Sequence, residues 1–485
     1  MIKIPFILLL FFAFVCFLAT NIAAISYNSL SLNGTVVGSI EDQSVVYYNL
    51  SWPGGQAATI NLTLSTCSTY EGSSSLILYA SNYSFDNSLA LGNYSYSLTD
   101  LGLTSLSVTG YSPMFIAVSS SDSQYSKSYI GNNRDTSSNS AYQTQYELSA
   151  GNNFTFTQYN EAKFLYAQDT DFQAALLITG NLTTNDTSVI PNYEIFVNPT
   201  YSTFDKQIGK LSNSFCAYRS NPSTLNINNA DLSMTVRGLG PFAKEQFYLK
   251  GLSPNTSYTA YLVKPNANAS GGTTYPPITF TTKVGTTCQL IYDLEFCSEV
   301  AYSVPGNSAS YSALSLASWY DQQAFGYYKN FTYTLDQYPC NATALSIYSL
   351  LRNCSDCLHS YKNWLCAAII PRCADITDNS TFLVYRNNNS RYPLIDHVIR
   401  PGPYKEVLPC SHLCYTLASS CPADLGLACP DHGYGLEESY GDISNATGVI
   451  SCNAPGVEFY ESVASLLQKP WLSFLILFLT WSLVL

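Results

Sequence analysis

The chain is short of charge, histidine and methionine. Only 11% of its 485 residues are charged, and 21 Lys and Arg against 33 Asp and Glu give a formal net charge of −12. Without a basic surplus, the chain offers no surface that would displace counterions from phosphates, so nucleic acid is not an expected partner. Four histidines and three methionines leave little material for a histidine-driven or metal-rich active site.

Motifs for catalysis and metal binding are also missing. The chain has no HExxH, no GxSxG and no EF-hand loop, and Asp396 places a carboxylate next to His397. Four cysteines between residues 354 and 373 have a metal-like spacing, although the secretory features described below favour disulfides. A Ser-His-Asp site assembled from distant residues stays open, because such triads are recognised in space. Otherwise the sequence predicts no enzyme, no catalytic residue, no metal site and no cofactor.

Long hydrophobic runs are absent between residues 25 and 470, and the apolar stretches lie at the two ends. At the start, Lys3 precedes an apolar run over residues 4–19, and Ala23 and Ala24 follow. A positive charge, a short apolar segment and small residues are typical of a secretory signal peptide, predicted here as residues 1–24. The alternative is an uncleaved anchor.

The C-terminal tail, residues 456–485, ends in 15 uncharged residues. A membrane-spanning helix wants about 20 apolar residues, and no Lys or Arg follows the run. Small residues, a polar spacer and a terminal apolar segment fit a glycolipid-anchor signal. A short tail anchor or a docked helix is the alternative.

Cysteine is plentiful, with fifteen residues, of which Cys16 lies in the predicted signal peptide. In a secreted chain the other fourteen predict disulfide bonds, whose pairing the spacing leaves open. Cys67 and Cys216 form a seventh bridge or stay free. The remaining twelve make up to six bridges: Cys288, Cys297, Cys340, Cys354, Cys357, Cys366, Cys373, Cys410, Cys414, Cys421, Cys429 and Cys452.

Glycosylation sequons are equally frequent and predict a glycan-coated ectodomain. One of the sixteen, Asn353, stands directly before a cysteine and is the least favourable acceptor. The other fifteen are predicted sites: Asn33, Asn49, Asn61, Asn82, Asn93, Asn153, Asn181, Asn185, Asn255, Asn268, Asn330, Asn341, Asn379, Asn388 and Asn445.

The first half of the mature chain is predicted to be all-β. Short alternating stretches separated by Ser, Asn and Gly predict two β-sandwich-like domains, residues 25–150 and 151–285. Within the second, Leu252, Pro254, Thr256 and Tyr258 form a Leu-x-Pro-x-Thr-x-Tyr motif before an alternating strand. This motif resembles the tyrosine corner of fibronectin type III sandwiches, in which the Tyr hydroxyl bonds back to the backbone.

Residues 286–455 form the predicted cysteine-rich domain, which we expect to be mainly helical. Apolar residues from Leu314 to Leu335 recur at helical spacing. A second helix should carry Cys357 and Trp364 and end before Pro371. Short helices held together by disulfides need only a small hydrophobic core.

The cysteine-rich sequence resembles the fungal stretch-activated calcium-channel components, the Mid family needed for survival of mating pheromone. The segments that carry the resemblance are residues 296–307, 354–373, 395–396, 400–414 and 421–430. The resemblance implies a fold similar to Frizzled-type cysteine-rich domains and a place on the extracellular face of the plasma membrane. It supplies no catalytic residues.

The resemblance also implies a partner, the four-repeat pore subunit of a voltage-gated-type calcium channel, and calcium entry after pheromone, stretch or wall stress. The expected role is that of an accessory subunit. A self-contained stretch-activated channel and an anchored wall carbohydrate-binding protein or enzyme are the alternatives. The expected channel-contact residues are Arg400, Tyr404, Lys405, Glu406 and Trp364.

Overall fold

The computed structural model describes residues 25–41, 44–54, 56–67, 76–85, 94–97, 103–120, 143–152, 163–183, 185–200, 214–220, 230–238, 242–266, 271–339, 349, 351–443 and 450–456. The predicted signal peptide and nearly all of the predicted tail lie outside these ranges. So do six residues singled out above: Asn93, Asn153, Asn268, Asn341, Asn445 and Cys340.

The chain divides into two compact units. Unit 1 comprises Met1–Glu161, Lys206–Pro222 and Val263–Thr274, and unit 2 comprises Ala162–Asp205, Ser223–Leu262 and Tyr275–Leu485. Unit 1 therefore includes two later segments of the chain, which are separated in sequence from its main part.

Unit 1 contains a β-sandwich, as the alternating pattern predicts. One sheet has the order β1-β3-β8-β5-β6 and the other β2-β9-β4-β7. Leucine, isoleucine and valine side chains from both sheets form one buried core between them. The strands are β1 (Asn28–Ser31), β2 (Gly34–Glu41), β3 (Val45–Ser51), β4 (Ala58–Thr66), β5 (Leu76–Ser81), β6 (Tyr94–Ser97), β7 (Leu103–Gly110), β8 (Met114–Ser120) and β9 (Gln143–Gly151).

The outer face of β9 carries a buried carboxylate. Glu147 points away from the core and is covered by helix α1 (Phe215–Ser220) and by strand β16 (Gly272–Thr274). The backbone N–H of Cys216 donates to Glu147 Oε2 at 3.1 Å, and that of Gly272 donates to Oε1 at 3.2 Å. A disulfide from Cys67 to Cys216 fastens the same helix. The two distant segments of unit 1 thus meet on one carboxylate.

Stability of unit 1 is expected to depend on pH through Glu147. Burial raises its pKa from 4.5 to about 7, although the backbone donors of Cys216 and Gly272 oppose the shift. Because the folded pKa exceeds the unfolded one, the associated stability is complete below pH 4.5 and is lost as pH rises to 7. The loss sums to about 3 kcal/mol. Denaturant unfolding at pH 4.5 and 7.5 measures it.

The matched variants are Glu147→Gln and Glu41→Gln, the latter on an exposed side chain of β2. Glu147→Gln should remove this part of the pH dependence, whereas Glu41→Gln should leave it in place. An unchanged pH profile in Glu147→Gln would exclude Glu147 as its source.

Unit 2 begins with a second sandwich, which has an immunoglobulin-type strand arrangement. One sheet has the order β10-β11-β14-β13, and in the other β15 pairs with β12 and β17. Tyr258 lies where the motif predicts, and the backbone N–H of Ser253 donates to its hydroxyl at 2.8 Å. The strands are β10 (Leu165–Thr170), β11 (Ala174–Thr179), β12 (Glu194–Pro199), β13 (Ala230–Thr235), β14 (Lys244–Lys250), β15 (Ser257–Pro265) and β17 (Ile278–Thr281).

The cysteine-rich part of unit 2 mixes helices with short strands, so a mainly helical fold describes only part of it. The predicted helices are present, and α2 spans the apolar repeat. A hairpin of β18 and β19 and a sheet of order β20-β22-β21 accompany them. The elements are β18 (Cys288–Ile291), β19 (Tyr302–Pro305), α2 (Ala313–Leu335), α3 (Cys354–Ile369), β20 (Arg372–Ala374), β21 (Leu383–Arg386), a π-helical turn (Ile395–Ile399), β22 (Tyr404–Val407), α4 (Ser411–Ser420), a 3-10 turn (Ala423–Leu425) and α5 (Leu436–Ser439).

Disulfides link these elements across long sequence distances, and the structure gives the pairing that the spacing left open. Cys354 is also disulfide-bonded. The pairs between described cysteines of this region are Cys288–Cys373, Cys297–Cys366, Cys357–Cys421, Cys410–Cys452 and Cys414–Cys429.

Buried charges connect the second sandwich to the cysteine-rich part within unit 2. Asp169, at the end of β10, pairs with Lys283 Nζ at 2.6 Å and with Arg372 Nη2 at 3.1 Å. Burial opposes ionisation of Asp169, but the two cations outweigh it and hold its pKa below the ordinary value. Asp171 accepts from the backbone N–H of Leu290 at 2.9 Å. These contacts fix the start of the cysteine-rich part against the sandwich.

Candidate docking surface

Two of the expected channel-contact residues lie inside the protein. Tyr404 and Glu406 are on β22, the central strand of its three-stranded sheet, and both are buried. The Tyr404 hydroxyl donates to Ser390 Oγ at 2.8 Å. Glu406 accepts from Arg386 Nε at 2.5 Å and from Arg391 Nε at 3.1 Å. Their contacts stabilise this sheet.

The turn that precedes β22 is at the surface. Arg400 is exposed and has a left-handed backbone conformation, with φ of 55°. Its Nε donates to the carbonyl of His397 at 3.1 Å. Lys405 is half-buried and donates through Nζ to Asn379 Oδ1 at 3.2 Å. A glycan on Asn379 would therefore stand beside Lys405 and leave Arg400 as the accessible cation of this turn.

A larger feature is an array of aromatic rings between α2 and α3. Phe296 lies 5.4 Å from the ring of Phe325 and 4.9 Å from that of Tyr328. Tyr361 on α3 stacks on Phe331 of α2, with ring centroids 3.7 Å apart. Tyr328 and Tyr361 join the two groups at 6.4 Å. We call these residues, together with Trp364 and Lys362, the aromatic array.

The array is open to solvent along its length. Phe325 is 51% exposed, and the other members are half-buried. Lys362 Nζ lies 4.8 Å over the ring of Phe296, and Trp364 Nε1 donates to the Tyr440 hydroxyl at 2.9 Å. Trp364, the one member expected from the sequence, is therefore held in place at the end of the array.

The glycosylation sequon on α2 is turned away from the array. Asn330 is exposed and stands two residues after Tyr328, so at 3.6 residues per turn the two side chains point about 160° apart. The Asn353 sequon is at the N-cap of α3, where its side-chain oxygen accepts from the backbone N–H of Asp356. That capping bond uses the oxygen of the Asn353 side chain. On α2, the sequon side chain of Asn330 thus points away from Tyr328 of the array.

Sequence reasoning missed Phe296, Phe325 and Tyr328. Phe325 and Tyr328 are three residues apart on the outward side of α2, a spacing that places side chains next to each other. Because the buried face of α2 also carries aromatic residues, the pattern alone does not separate the exposed rings from the core.

A cleft of about 530 Å³ lies on unit 2, lined by Thr281, Asp375 and Leu383 among others. Its charged lining includes Asp169, which pairs with both Lys283 and Arg372. Within the described part of the chain, no group of three or more His, Cys, Asp or Glu residues is arranged to hold a metal ion. The same residues include no helix with the length and apolarity needed to cross a bilayer.

The chain is similar in sequence to fungal proteins of one family. A family model described as "Stretch-activated Ca2+-permeable channel component" matches residues 59–458. The stretch-activated cation channel yam8 of Schizosaccharomyces pombe is 63% identical over 461 residues, which cover 95% of each chain. The stretch-activated cation channel MID1 of Saccharomyces cerevisiae is 34% identical over 61% of this chain and 60% of that one. Among solved structures, a Yersinia enterocolitica family 28 exopolygalacturonase is 19% identical, with a TM-score of 0.14, over 26% of this chain and 20% of that one.

Proposed function

Since this chain belongs to the family of stretch-activated Ca²⁺-permeable channel components, we propose that it is an extracellular accessory subunit that docks on a separate pore-forming polypeptide. The proposed partner is a calcium-channel subunit of the four-repeat type, met at its extracellular loops. Relatives carry the names of channels, so we assign the chain no catalytic role.

Disulfides and sequons support the extracellular placement. Six disulfides join described cysteines, a number typical of oxidising compartments. The described sequon asparagines are all exposed or half-exposed, including Asn33 and Asn388, which lie in turns with positive φ. Glycans on these side chains would meet solvent and leave the cores undisturbed.

The aromatic array is the observation that carries the docking proposal. Interfaces are enriched in aromatic residues, and rigid ring clusters are the usual sites of large binding energy. Tyr361 and Phe331 are already stacked, so little side-chain entropy is left to lose on binding. Lys362 adds a cation in a chain of net negative charge and suits an acidic or aromatic loop on the partner.

Bridged helices also support the Frizzled-type interpretation of this region. Cys357 on α3 is linked to Cys421 at the end of α4, so one of the two helices that carry the array is covalently connected to a third helix. In the proposed mechanism this stiff assembly holds the pore's extracellular loops, and tension on the β-sandwiches is transmitted to them through it.

Purification of the tagged, full-length protein from native membranes in mild detergent tests the proposal. Mass spectrometry should find a four-repeat channel polypeptide with it and should find residues 1–24 absent from the mature chain. Recovery of the protein alone, as an oligomer that retains both apolar ends, would contradict the accessory role and favour a self-contained channel.

Phe325→Ala is expected to reduce the amount of co-purified channel polypeptide by about tenfold. An exposed aromatic anchor at the centre of an interface contributes about 1–2 kcal/mol or more, and 1.4 kcal/mol is a tenfold change in affinity. The measurement is the ratio of channel to tagged protein in the eluate. Calcium influx after stretch should fall in parallel.

The control is Tyr385→Ala, which removes a ring of matched exposure, 53%, from β21. It should leave the ratio unchanged. If both variants are secreted normally and keep the full complement of channel polypeptide, the array is not the docking surface, although the accessory role would stand.

A further inference from the structure

Two tyrosines on unit 1 stand out from the surface. Tyr83 is 74% exposed and Tyr111 is 62% exposed, and among the described residues of this unit they are the large hydrophobic side chains that solvent reaches most. Tyr83 lies in the loop after β5, and Tyr111 in the loop between β7 and β8. Both flank one residue, the sequon asparagine Asn82.

Hydrogen bonds fix the orientation of Asn82. The backbone N–H of Tyr111 donates to its side-chain oxygen at 3.1 Å. Because a backbone N–H only donates, the amide oxygen must face the backbone of Tyr111, and this bond leaves Nδ2, the atom that carries an N-linked glycan, out of the contact. Gly110 permits this approach, since a Cβ there would lie 2.2 Å from the Asn82 oxygen.

The loop segments next to Asn82 are tied together and carry no charge. Ser112 Oγ accepts from the backbone N–H of Trp52 at 3.0 Å, which joins a third loop to the first two. Residues 51–57, 81–85 and 111–113 include no Asp, Glu, Lys or Arg. Aromatic rings beside amides and hydroxyls suit a neutral carbohydrate, whose C–H faces pack on rings and whose hydroxyls form hydrogen bonds.

We propose that Tyr83 and Tyr111 form a cradle for the first sugars of an N-linked glycan on Asn82. The glycan packs against the two rings and covers the exposed apolar surface at this end of the sandwich. A partner that approaches these loops meets carbohydrate instead of tyrosine. The sequon and its two flanking rings are thus one site.

Release of glycans from the native, full-length chain by a peptide-N-glycosidase tests the proposal. Mass spectrometry of each sequon peptide gives the rate at each site, because release converts Asn to Asp. The Asn82 glycan should be released about two- to tenfold more slowly in the parent chain than in Tyr111→Ala, the factor expected of an aromatic contact worth about 0.5–1.5 kcal/mol. Tyr83→Ala should act in the same direction.

Release at Asn33, an exposed turn sequon of the same unit, is the internal control and should not change in either variant. Equal rates at Asn82 in the parent and both tyrosine variants would overturn the cradle. So would an unmodified Asn82.

The Ser84→Ala chain, which retains Asn82 but loses its sequon, separates the two sources of carbohydrate. One outcome is that Asn82 of the parent chain carries no glycan and that the two tyrosines retain the chain on insoluble β-glucan. If the Ser84→Ala chain is retained equally, the tyrosines form a binding site for external polysaccharide and not a cradle for a glycan on Asn82.

Discussion

Replacement of Asp169 by alanine is expected to lower the free energy of unfolding of unit 2 by about 3–5 kcal/mol, because it leaves two cations buried without their anion. The side chains of Asp169 and Lys283 are each 10% exposed, and that of Arg372 is 6% exposed. Asp169 also accepts from the backbone N–H of Ser303 at 3.1 Å, and that donor would lose its partner.

Denaturant unfolding of the secreted chain at neutral pH measures the effect. The matched control is Asp231→Ala, which breaks a pair with Lys250 whose side chains are both more than half exposed. An exposed pair is worth about 0–1 kcal/mol, so the control should unfold almost as the parent does. If Asp169→Ala costs no more than Asp231→Ala, the buried cluster does not hold the sandwich to the cysteine-rich part.

Conversion of both Cys67 and Cys216 to serine should destabilise unit 1 by about 4–5 kcal/mol. The bridge joins residues separated by 149 positions, and the chain-entropy model assigns the largest effects to such long loops. Helix α1 would then be held on β9 by non-covalent contacts alone, chiefly those of Glu147. The midpoint and slope of urea unfolding measure the change.

Cys414 and Cys429 provide the comparison, since they are separated by only 15 residues. Removal of that pair should cost about 3 kcal/mol by the same model. The opposite result is a loss of unfolding free energy that is smaller for the Cys67 and Cys216 variant than for the short-loop variant. That result would show that residual contacts, and not loop closure, govern the unfolded state of unit 1.

Local patterns in the sequence predicted much of the fold. The strand alternation, the helical repeat of α2 and the Tyr258 corner are set by neighbours within about ten residues, and each is present. Non-local features were not accessible in the same way. The attachment of residues 206–222 and 263–274 to unit 1 depends on contacts with β9, more than 60 residues earlier in the chain.

In the candidate docking surface, too, local features could be predicted from the sequence and non-local ones could not. Residues 400–406 have the prolines and glycine of an exposed turn, but the strand that follows pairs on both sides, which turns Tyr404 and Glu406 inward. Trp364 was found because a large aromatic residue on a predicted helix is conspicuous. Phe296 was missed because it reaches the array from a loop, and its position depends on the disulfide from the adjacent Cys297 to Cys366.

The disulfide pairing also imposes an order on biosynthesis. Cys67 has no partner until another 149 residues have been made, and Cys288 has none until another 85 residues have been made. At about 5–20 residues per second, the first of these waits is about 7–30 s. Once β9 has been made, its outer face lacks its cover until Cys216 and Gly272 follow, and Glu147 is exposed to water until then. Unit 1 is therefore completed only after synthesis has passed through the second sandwich to β16, so a ribosome that stalls between the sandwiches would leave an unclosed first unit with a free thiol.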